Sequence, residues 1–222
     1  MAKRLIALLL ISTLGYAASP ESVIRHSQDK VVKLGIVLQR TSPDTNEQEY
    51  AHGTCSGAFI NDSGLVLTCA HCVTSRFLTK LFVKTENEDY RVGYVVKIST
   101  NNDLALVQML TDKPTPYFKL GREVERGQEV LLFGSPLRLQ HTVSVGYIEN
   151  IFDKGFLGMN HVLAINSAPI NGGNSGGPLV DLHGRLVGVG EGSVMANIFV
   201  PADGLGFAVD LESIKEFLKG TN

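Results

Sequence analysis

The sequence GGNSGGPL, residues 172–179, decides how the rest of this chain is interpreted. One serine, Ser175, stands among glycines and is soon followed by Pro178, so the backbone can turn tightly and bring N–H groups close to a reacting atom. A serine hydroxyl alone is a weak nucleophile, which needs a base and a group that orients the base. Glycine-rich stretches are often plain loops, and no lysine follows the last glycine, as a phosphate-binding loop requires. The stretch therefore points to chemistry only if it has partners elsewhere.

Two further stretches supply candidate partners for Ser175. TCAHC, residues 68–72, contains His71, and NNDLALV, residues 101–107, contains Asp103. A histidine can take the serine proton, and an aspartate can hold the imidazole in the correct tautomer. Each residue alone is better explained as a structural or turn residue. The three together predict a nucleophilic Ser-His-Asp site.

Residues 1–17 have the pattern of a signal peptide. Lys3 and Arg4 form a charged start, an apolar run follows at 5–14, and Gly15-Tyr16-Ala17 is a small-x-small cleavage site. An uncleaved membrane anchor would begin in the same way, although this apolar run is short for a bilayer. We expect export by a signal peptide and no stable membrane anchor.

Short apolar runs separated by turn residues predict an all-β fold. A dozen such runs and one terminal helix indicate two six-stranded antiparallel β-barrels. Residues 41–50 are expected to form an exposed loop, and residues 111–119 a linker between the halves. The predicted organisation is a lead-in at 18–30 and one domain at 31–222, with a first barrel at about 31–112, a second at about 120–210 and a C-terminal helix at 211–219.

Charge and composition narrow the function classes. The formal net charge of −2 at pH 7 gives no electrostatic footprint for nucleic acid. No cofactor motif is visible, and we expect no metal site, because the other histidines lack ligand spacing: His26, His52, His141, His161 and His183.

TCAHC, NNDLALV and GGNSGGPL, in this order, resemble the His, Asp and Ser segments of chymotrypsin-like (trypsin-like) serine proteases. GAFINDSGLVLTCAHCV, APINGGNSGGPLVDLHGRLVGV and LGFAVDLESIKEFL are most similar to the HtrA (DegP-like) branch. The likeness covers about residues 31–218. We expect the chain to depart from that branch by ending after the protease domain, without a peptide-binding PDZ domain. We therefore do not carry over the branch's allosteric regulation, cage assembly or chaperone activity.

The resemblance implies a serine endopeptidase that cleaves unfolded or extended polypeptides through an acyl-enzyme. His71 would be the general base, Asp103 its orienting acid and Ser175 the nucleophile. The backbone N–H groups of Gly173 and Ser175 would form the oxyanion hole. Such an enzyme would need no cofactor and would act in the periplasm or after secretion. A non-catalytic binding or adhesion protein on the same scaffold is the alternative, because a fold does not fix a function.

The three cysteines allow two interpretations. Cys69 and Cys72 form a C-x-x-C pair, which is typical of thioredoxin-like redox sites. That fold alternates strands with helices, and this sequence predicts almost no helix. The resemblance instead implies a disulfide between Cys55 and Cys72, which export permits. Cys69 would then be a buried free thiol that behaves as a small apolar residue.

The resemblance also places the pocket for the residue before the scissile bond. Its floor would lie at Pro169 and Ile170, and its walls at Glu191, Gly192 and Ser193 and at Gly204, Gly206 and Phe207. Pro169 stands where trypsin-like enzymes have an acid, so cleavage after Lys or Arg is not expected. A small or medium apolar residue is the predicted preference. Glu191 is expected to face solvent, as glutamates usually do.

Overall fold

A computed structural model describes residues 18–86, 89–135, 142–152, 162–167, 173–191 and 205–221. The predicted signal peptide lies outside these ranges. No helix in the described part of the chain has the length and apolarity needed to cross a membrane.

The first barrel consists of six antiparallel strands that close on themselves. They are β1 (Val31–Thr41), β2 (Gln48–Phe59), β3 (Leu65–Cys69), β4 (Leu78–Lys84), β5 (Arg91–Ser99) and β6 (Leu104–Met109). Around the barrel they follow the order β1–β2–β3–β6–β5–β4. In this closed order every strand has a neighbouring strand on both sides.

The turn between β2 and β3 shows why this sequence forms a hairpin. The side-chain carbonyl of Asn61 accepts hydrogen bonds from the N–H groups of Ser63, at 3.1 Å, and Leu65, at 2.9 Å. Gly64 has φ 85°, a left-handed conformation that glycine adopts without a steric penalty. The turn leads directly into β3, whose five residues are all buried. This hairpin fixes the direction in which the chain reaches His71.

The second barrel repeats the architecture. Its strands are β7 (Glu129–Gly134), β8 (Thr142–Phe152), β9 (Val162–Asn166), β10 (Pro178–Asp181), β11 (Leu186–Glu191) and β12 (Leu205–Asp210). They close in the order β10–β11–β12–β9–β8–β7. The prediction of an all-β fold with two six-stranded antiparallel barrels is confirmed.

The two barrels share a continuous core. One cluster of buried apolar side chains runs from Leu34 and Leu67 in the first barrel to Phe133 and Val189 in the second. A second cluster fills the second barrel alone and includes Leu132. Each fully buried leucine or phenylalanine contributes about 1.5–3 kcal/mol. The barrels are therefore held together by packing as well as by the chain that joins them.

Two segments predicted as loops differ from the prediction, one in its length and the other in its packing. The predicted loop at 41–50 is a shorter turn, because Thr41 still belongs to β1 and the residues from Gln48 onward belong to β2. The predicted linker at 111–119 is packed on the first barrel. There the N–H of Thr115 donates to Asp62 O, and that of Phe118 to Phe59 O, each at 2.9 Å.

Short helices lie near both ends of the described part of the chain, and one lies in a turn of the first barrel. Helix α1 spans Pro20–Arg25, 3-10 helix η1 spans Gln28–Lys30, 3-10 helix η2 spans Ala70–Cys72, and helix α2 spans Leu211–Leu218. Asp210 caps α2 by accepting from the N–H of Ser213 at 2.9 Å. The predicted C-terminal helix is therefore present.

Lys97 of β5 ties the end of α2 to the first barrel. Its ammonium donates to the carbonyl oxygen of Phe217, to that of Lys219 at 3.1 Å and to Thr221 Oγ1 at 3.2 Å. A cation at the C-terminal end of a helix also interacts favourably with the helix dipole. One side chain of the first barrel thus holds an element that follows the second.

Replacing Lys97 should test this tie. We expect Lys97→Met to lower the free energy of unfolding by about 1–3 kcal/mol, because hydrogen bonds from a charged donor are lost. Urea unfolding measures the change. Lys80→Met is the matched control, because Lys80 is an exposed lysine on β4 of the same barrel. Equal stabilities of the two variants would contradict the role of Lys97.

Candidate active site

The turn after β3 positions His71. Residues Ala70–Cys72 form η2, and the N–H of Ala70 donates to the carbonyl oxygen of Asp103 at 3.0 Å. Cys72 is joined by a disulfide to Cys55 of β2, as the resemblance implies. The turn is therefore fixed on one side by a hydrogen bond and on the other by a covalent bond.

Asp103 meets this turn from the segment before β6. Its backbone is left-handed, with φ 48°, a conformation that aspartate tolerates better than most residues. Its Oδ1 accepts from the backbone N–H of His71 at 2.8 Å, and its Oδ2 lies 2.7 Å from His71 Nδ1. A carboxylate only accepts, so Nδ1 is the ring nitrogen that carries the proton. In the neutral ring Nε2 is then an acceptor.

The environment strengthens this pair. Burial would lower the pKa of His71, but the hydrogen bond to Asp103, the charge of Asp103 and the nearby carboxyl group of Glu191 raise it above its ordinary value. Burial would likewise raise the pKa of Asp103, but hydrogen bonds from His71 and Glu191 outweigh burial and lower it. Asp103 is thus held as a carboxylate and the imidazole is made a stronger base.

Ser175 lies in the turn before β10 and is 8% exposed. Gly173 and Gly176 on either side have φ 107° and 84°, so both need the conformational freedom of glycine. A Cβ on Gly176 would also collide with Thr68 Oγ1 and the carbonyl oxygen of Ser56. The carbonyl oxygen of Ser175 lies 3.9 Å from Cys72 Sγ, beside the turn that carries His71. The glycines thus let this turn press against the first barrel.

Ser56 of β2 joins the serine turn to both barrels. Its N–H donates to Ser175 O at 2.9 Å, and its Oγ donates to Gly173 O at 2.6 Å. The same Oγ accepts from the N–H of Ser135 at 2.9 Å, and the carbonyl oxygen of Ser56 accepts from Thr68 Oγ1 at 2.7 Å. We call these four hydrogen bonds the Ser56 clamp. They fix the backbone on both sides of the candidate oxyanion hole.

Glu191, at the end of β11, differs from its predicted position. We expected it to face solvent, but its side chain has no exposed surface. Its Oε1 lies 3.6 Å from His71 Nδ1, and its Oε2 lies 3.5 Å from Cys69 Sγ. The reason is the packing of β11 against the end of β3, where the S–H of Cys69 faces Gly190 O at 3.2 Å. Glu191 is therefore a neighbour of the His-Asp pair.

Cys69 is a buried free thiol, as the resemblance implies. It is more than a small apolar residue, because its S–H faces Gly190 O at 3.2 Å as well as Glu191. Burial raises the pKa of this thiol well above its ordinary value, and the neighbouring carboxyl groups of Glu191 and Asp103 add to the shift. Since Cys72 is bonded to Cys55, Cys69 has no partner for a C-x-x-C redox site.

Only part of the predicted substrate pocket can be located. Gly206 and Phe207 lie on β12, and Phe207 pairs with Glu191 on one side and with Ala164 on the other. The remaining predicted pocket residues lie outside the described ranges: Pro169, Ile170, Gly192, Ser193 and Gly204.

The structure thus brings His71 and Asp103 into contact and places the Ser175 turn beside them. Sequence reasoning missed Ser56, for which no local signal exists, because its partner Gly173 is 117 positions away. One sequence signal indicated the buried position of Glu191. It closes the run LVGVGE, whose other residues are apolar or glycine, and all six residues are buried.

Comparison with known proteins agrees with this site. Residues 55–189 match the trypsin-like peptidase domain family, more than half of the chain. Protease Do-like 14 of Arabidopsis thaliana is 36% identical over 176 residues, which cover 74% of this chain and 40% of that protein. Serine protease HTR4 of Rattus norvegicus is 34% identical over 198 residues, with coverages of 86% and 38%. The chain spans about two fifths of the length of these relatives.

A solved structure has the same fold. It is the HtrA-type protease AlgW with a decapeptide. The match covers 89% of this chain and 64% of the AlgW chain, with a TM-score of 0.75 and 22% sequence identity. The fold and the sequence matches define a class, and the chain belongs to the trypsin-like peptidase family. Within that class it resembles the protease domains of the HtrA, or Do-like, proteins.

Removing the hydroxyl of Ser56 should weaken the clamp. We expect Ser56→Ala to lower the free energy of unfolding by about 1–3 kcal/mol, because the buried N–H of Ser135 loses its acceptor. Thermal and urea unfolding report the change. Ser144→Ala is the control, because Ser144 is a half-buried serine on strand β8, outside the Ser56 clamp. A clamp that stabilises nothing would leave the two variants equally stable.

Proposed function

We propose that this protein is a serine endopeptidase that uses His71, Asp103 and Ser175. The observation that carries the proposal is the 2.7 Å hydrogen bond between His71 Nδ1 and Asp103 Oδ2 beside a glycine-rich serine turn. It leaves Nε2 of a neutral imidazole as the acceptor for a hydroxyl proton. The chain's membership of a peptidase family favours a catalytic role for these residues over a purely structural one.

The reaction would proceed in two steps. Nε2 of His71 takes the proton of the Ser175 hydroxyl as its oxygen attacks a peptide carbonyl, and then returns that proton to the leaving amine. The resulting acyl-enzyme is hydrolysed by water in the same manner. Asp103 stabilises the imidazolium that forms in each step. The backbone N–H groups of Gly173 and Ser175 would stabilise the oxyanion, each by a few kcal/mol.

The substrates would be unfolded or extended polypeptides that lie between the two barrels. An HtrA-type protease whose structure contains a decapeptide supports this class of substrate. We further propose that the protein is exported to the periplasm or secreted. The Cys55–Cys72 disulfide supports export, because disulfides persist mainly in oxidising compartments.

Substitution of the proposed nucleophile tests the mechanism. We expect Ser175→Ala to abolish casein cleavage and labelling by a fluorophosphonate probe, with an unchanged thermal melt. Asp103→Asn should lower turnover by about 10⁴-fold, because the imidazole then adopts the wrong tautomer. Ser63→Ala, at an exposed serine in the β2–β3 turn, is the control and should keep full activity.

Full cleavage by Ser175→Ala would refute the mechanism. Wild-type protein that binds an extended peptide, but neither cleaves it nor takes up the probe, would instead support the alternative of a non-catalytic binding protein.

Peptide libraries test the pocket. We expect cleavage after Val, Ala or Leu, because Pro169 supplies no acid for a basic side chain. Buried Phe207, on β12, adds an apolar surface to the proposed pocket wall. Mass spectrometry of the cleaved library gives the preference. A dominant preference for Lys, Arg or Glu would contradict the assignment of the pocket.

A further inference from the structure

Two carboxyl groups face one nitrogen at the proposed catalytic centre. Oδ2 of Asp103 lies 2.7 Å from His71 Nδ1, and Oε1 of Glu191 lies 3.6 Å from the same atom. The single proton on Nδ1 points at Asp103 and cannot satisfy both groups. One carboxyl oxygen of each residue lies within 4.8 Å of one from the other. Asp103 and Glu191 therefore form a pair of acids in direct proximity.

Burial decides how many charges this pair can hold. The Glu191 side chain has no exposed surface, and that of Asp103 is 13% exposed. Two ionised carboxyls this close repel each other, and an ionised carboxyl without exposure loses its hydration. Glu191 is hydrogen-bonded to Asp103, and carboxyl groups in such contact retain one proton between them. At neutral pH the pair is expected to carry one negative charge.

The hydrogen bonds assign the charge to Asp103. Its two oxygens accept two N–H groups of His71, at 2.7 and 2.8 Å, and such donors stabilise a carboxylate. Among the described contacts of Glu191, the thiol of Cys69, a weak donor, lies 3.5 Å from its Oε2. The proton of the pair thus belongs on Glu191, with Oε1 on the side of Asp103 and His71.

We propose that Glu191 is a positioning residue, held as a neutral carboxylic acid, whose O–H donates to Asp103 and fixes the carboxylate that orients His71. This inference rests on the proposed function and deepens it. Within the described ranges, the His, Cys, Asp and Glu side chains grouped with Glu191 are Cys69 at the end of β3, His71 in η2 and Asp103 before β6. Loss of the Glu191 proton at high pH would place two negative charges beside Nδ1 and remove a hydrogen bond to Asp103.

The first test measures how fast a fluorophosphonate labels Ser175 as a function of pH. Wild-type labelling should rise with pH as His71 becomes neutral and fall again as Glu191 loses its proton. Glu191→Gln keeps shape and can donate an N–H, so it should be labelled within about threefold of wild type at neutral pH and lack the alkaline fall. Glu191→Ala should be labelled at least tenfold more slowly. Glu149→Gln, at an exposed glutamate of β8, is the control and should match wild type.

A second test needs no activity. In a Ser175→Ala background, unfolding is measured from pH 5 to 9 with and without Glu191→Gln. Glu191 holds a proton in the folded state but not in the unfolded state above about pH 4.3, so folding takes up one proton. Stability of the parent should then fall relative to Glu191→Gln as pH rises, by about tenfold in the folding constant per pH unit. That fall ends at the pH where Glu191 ionises in the folded protein.

The outcomes separate the two proposals. Parallel stability curves, or a Glu191→Gln variant labelled as slowly as Glu191→Ala, would overturn the role of Glu191. Wild type that is never labelled would overturn the proposed function, while the stability measurement would still decide whether Glu191 is neutral.

Discussion

The Ser56 clamp is the constraint on which the geometry of the candidate site depends. The serine turn belongs to the second barrel, whereas the base and its acid belong to the first. Ser56 bonds the backbone of both Gly173 and Ser175 from β2, and it also takes the N–H of Ser135 from the end of β7. Since Cys55 beside it carries the disulfide to Cys72, one dipeptide anchors both sides of the site.

Local patterns were sufficient for the architecture but not for these contacts. The apolar runs and turn residues predicted the strands, and motif order selected His71, Asp103 and Ser175 as candidates. The Ser56 clamp was invisible, because a serine in a strand carries no sign of a partner more than a hundred positions away. Glu191 was misplaced for a related reason. Composition rules put glutamate at the surface, and only the meeting of β11 with β3 shows that this one is enclosed.

The interior around His71 is more polar than the sequence suggested. Ligand atoms of a thiol, an imidazole and two carboxyls, from four segments of the chain, lie within 4.8 Å of one another. We interpret them as a hydrogen-bond network, because Nδ1, the imidazole nitrogen that faces the acids, is bonded to Asp103. Such a network is stable only when its charges are balanced, since an uncompensated buried charge costs several kcal/mol. The protonation states of these four groups therefore affect the stability of the fold, as their packing does.

The position of Glu191 also limits how this domain can be recombined with others. The groups that set the electrostatics of the base lie in the first barrel, but Glu191 is supplied by β11 of the second. A chimera that joins this first barrel to the second barrel of a relative would exchange one member of the network while keeping the rest. The two barrels look like interchangeable modules in their topology, yet they have to be inherited, transplanted or redesigned as one electrostatic unit.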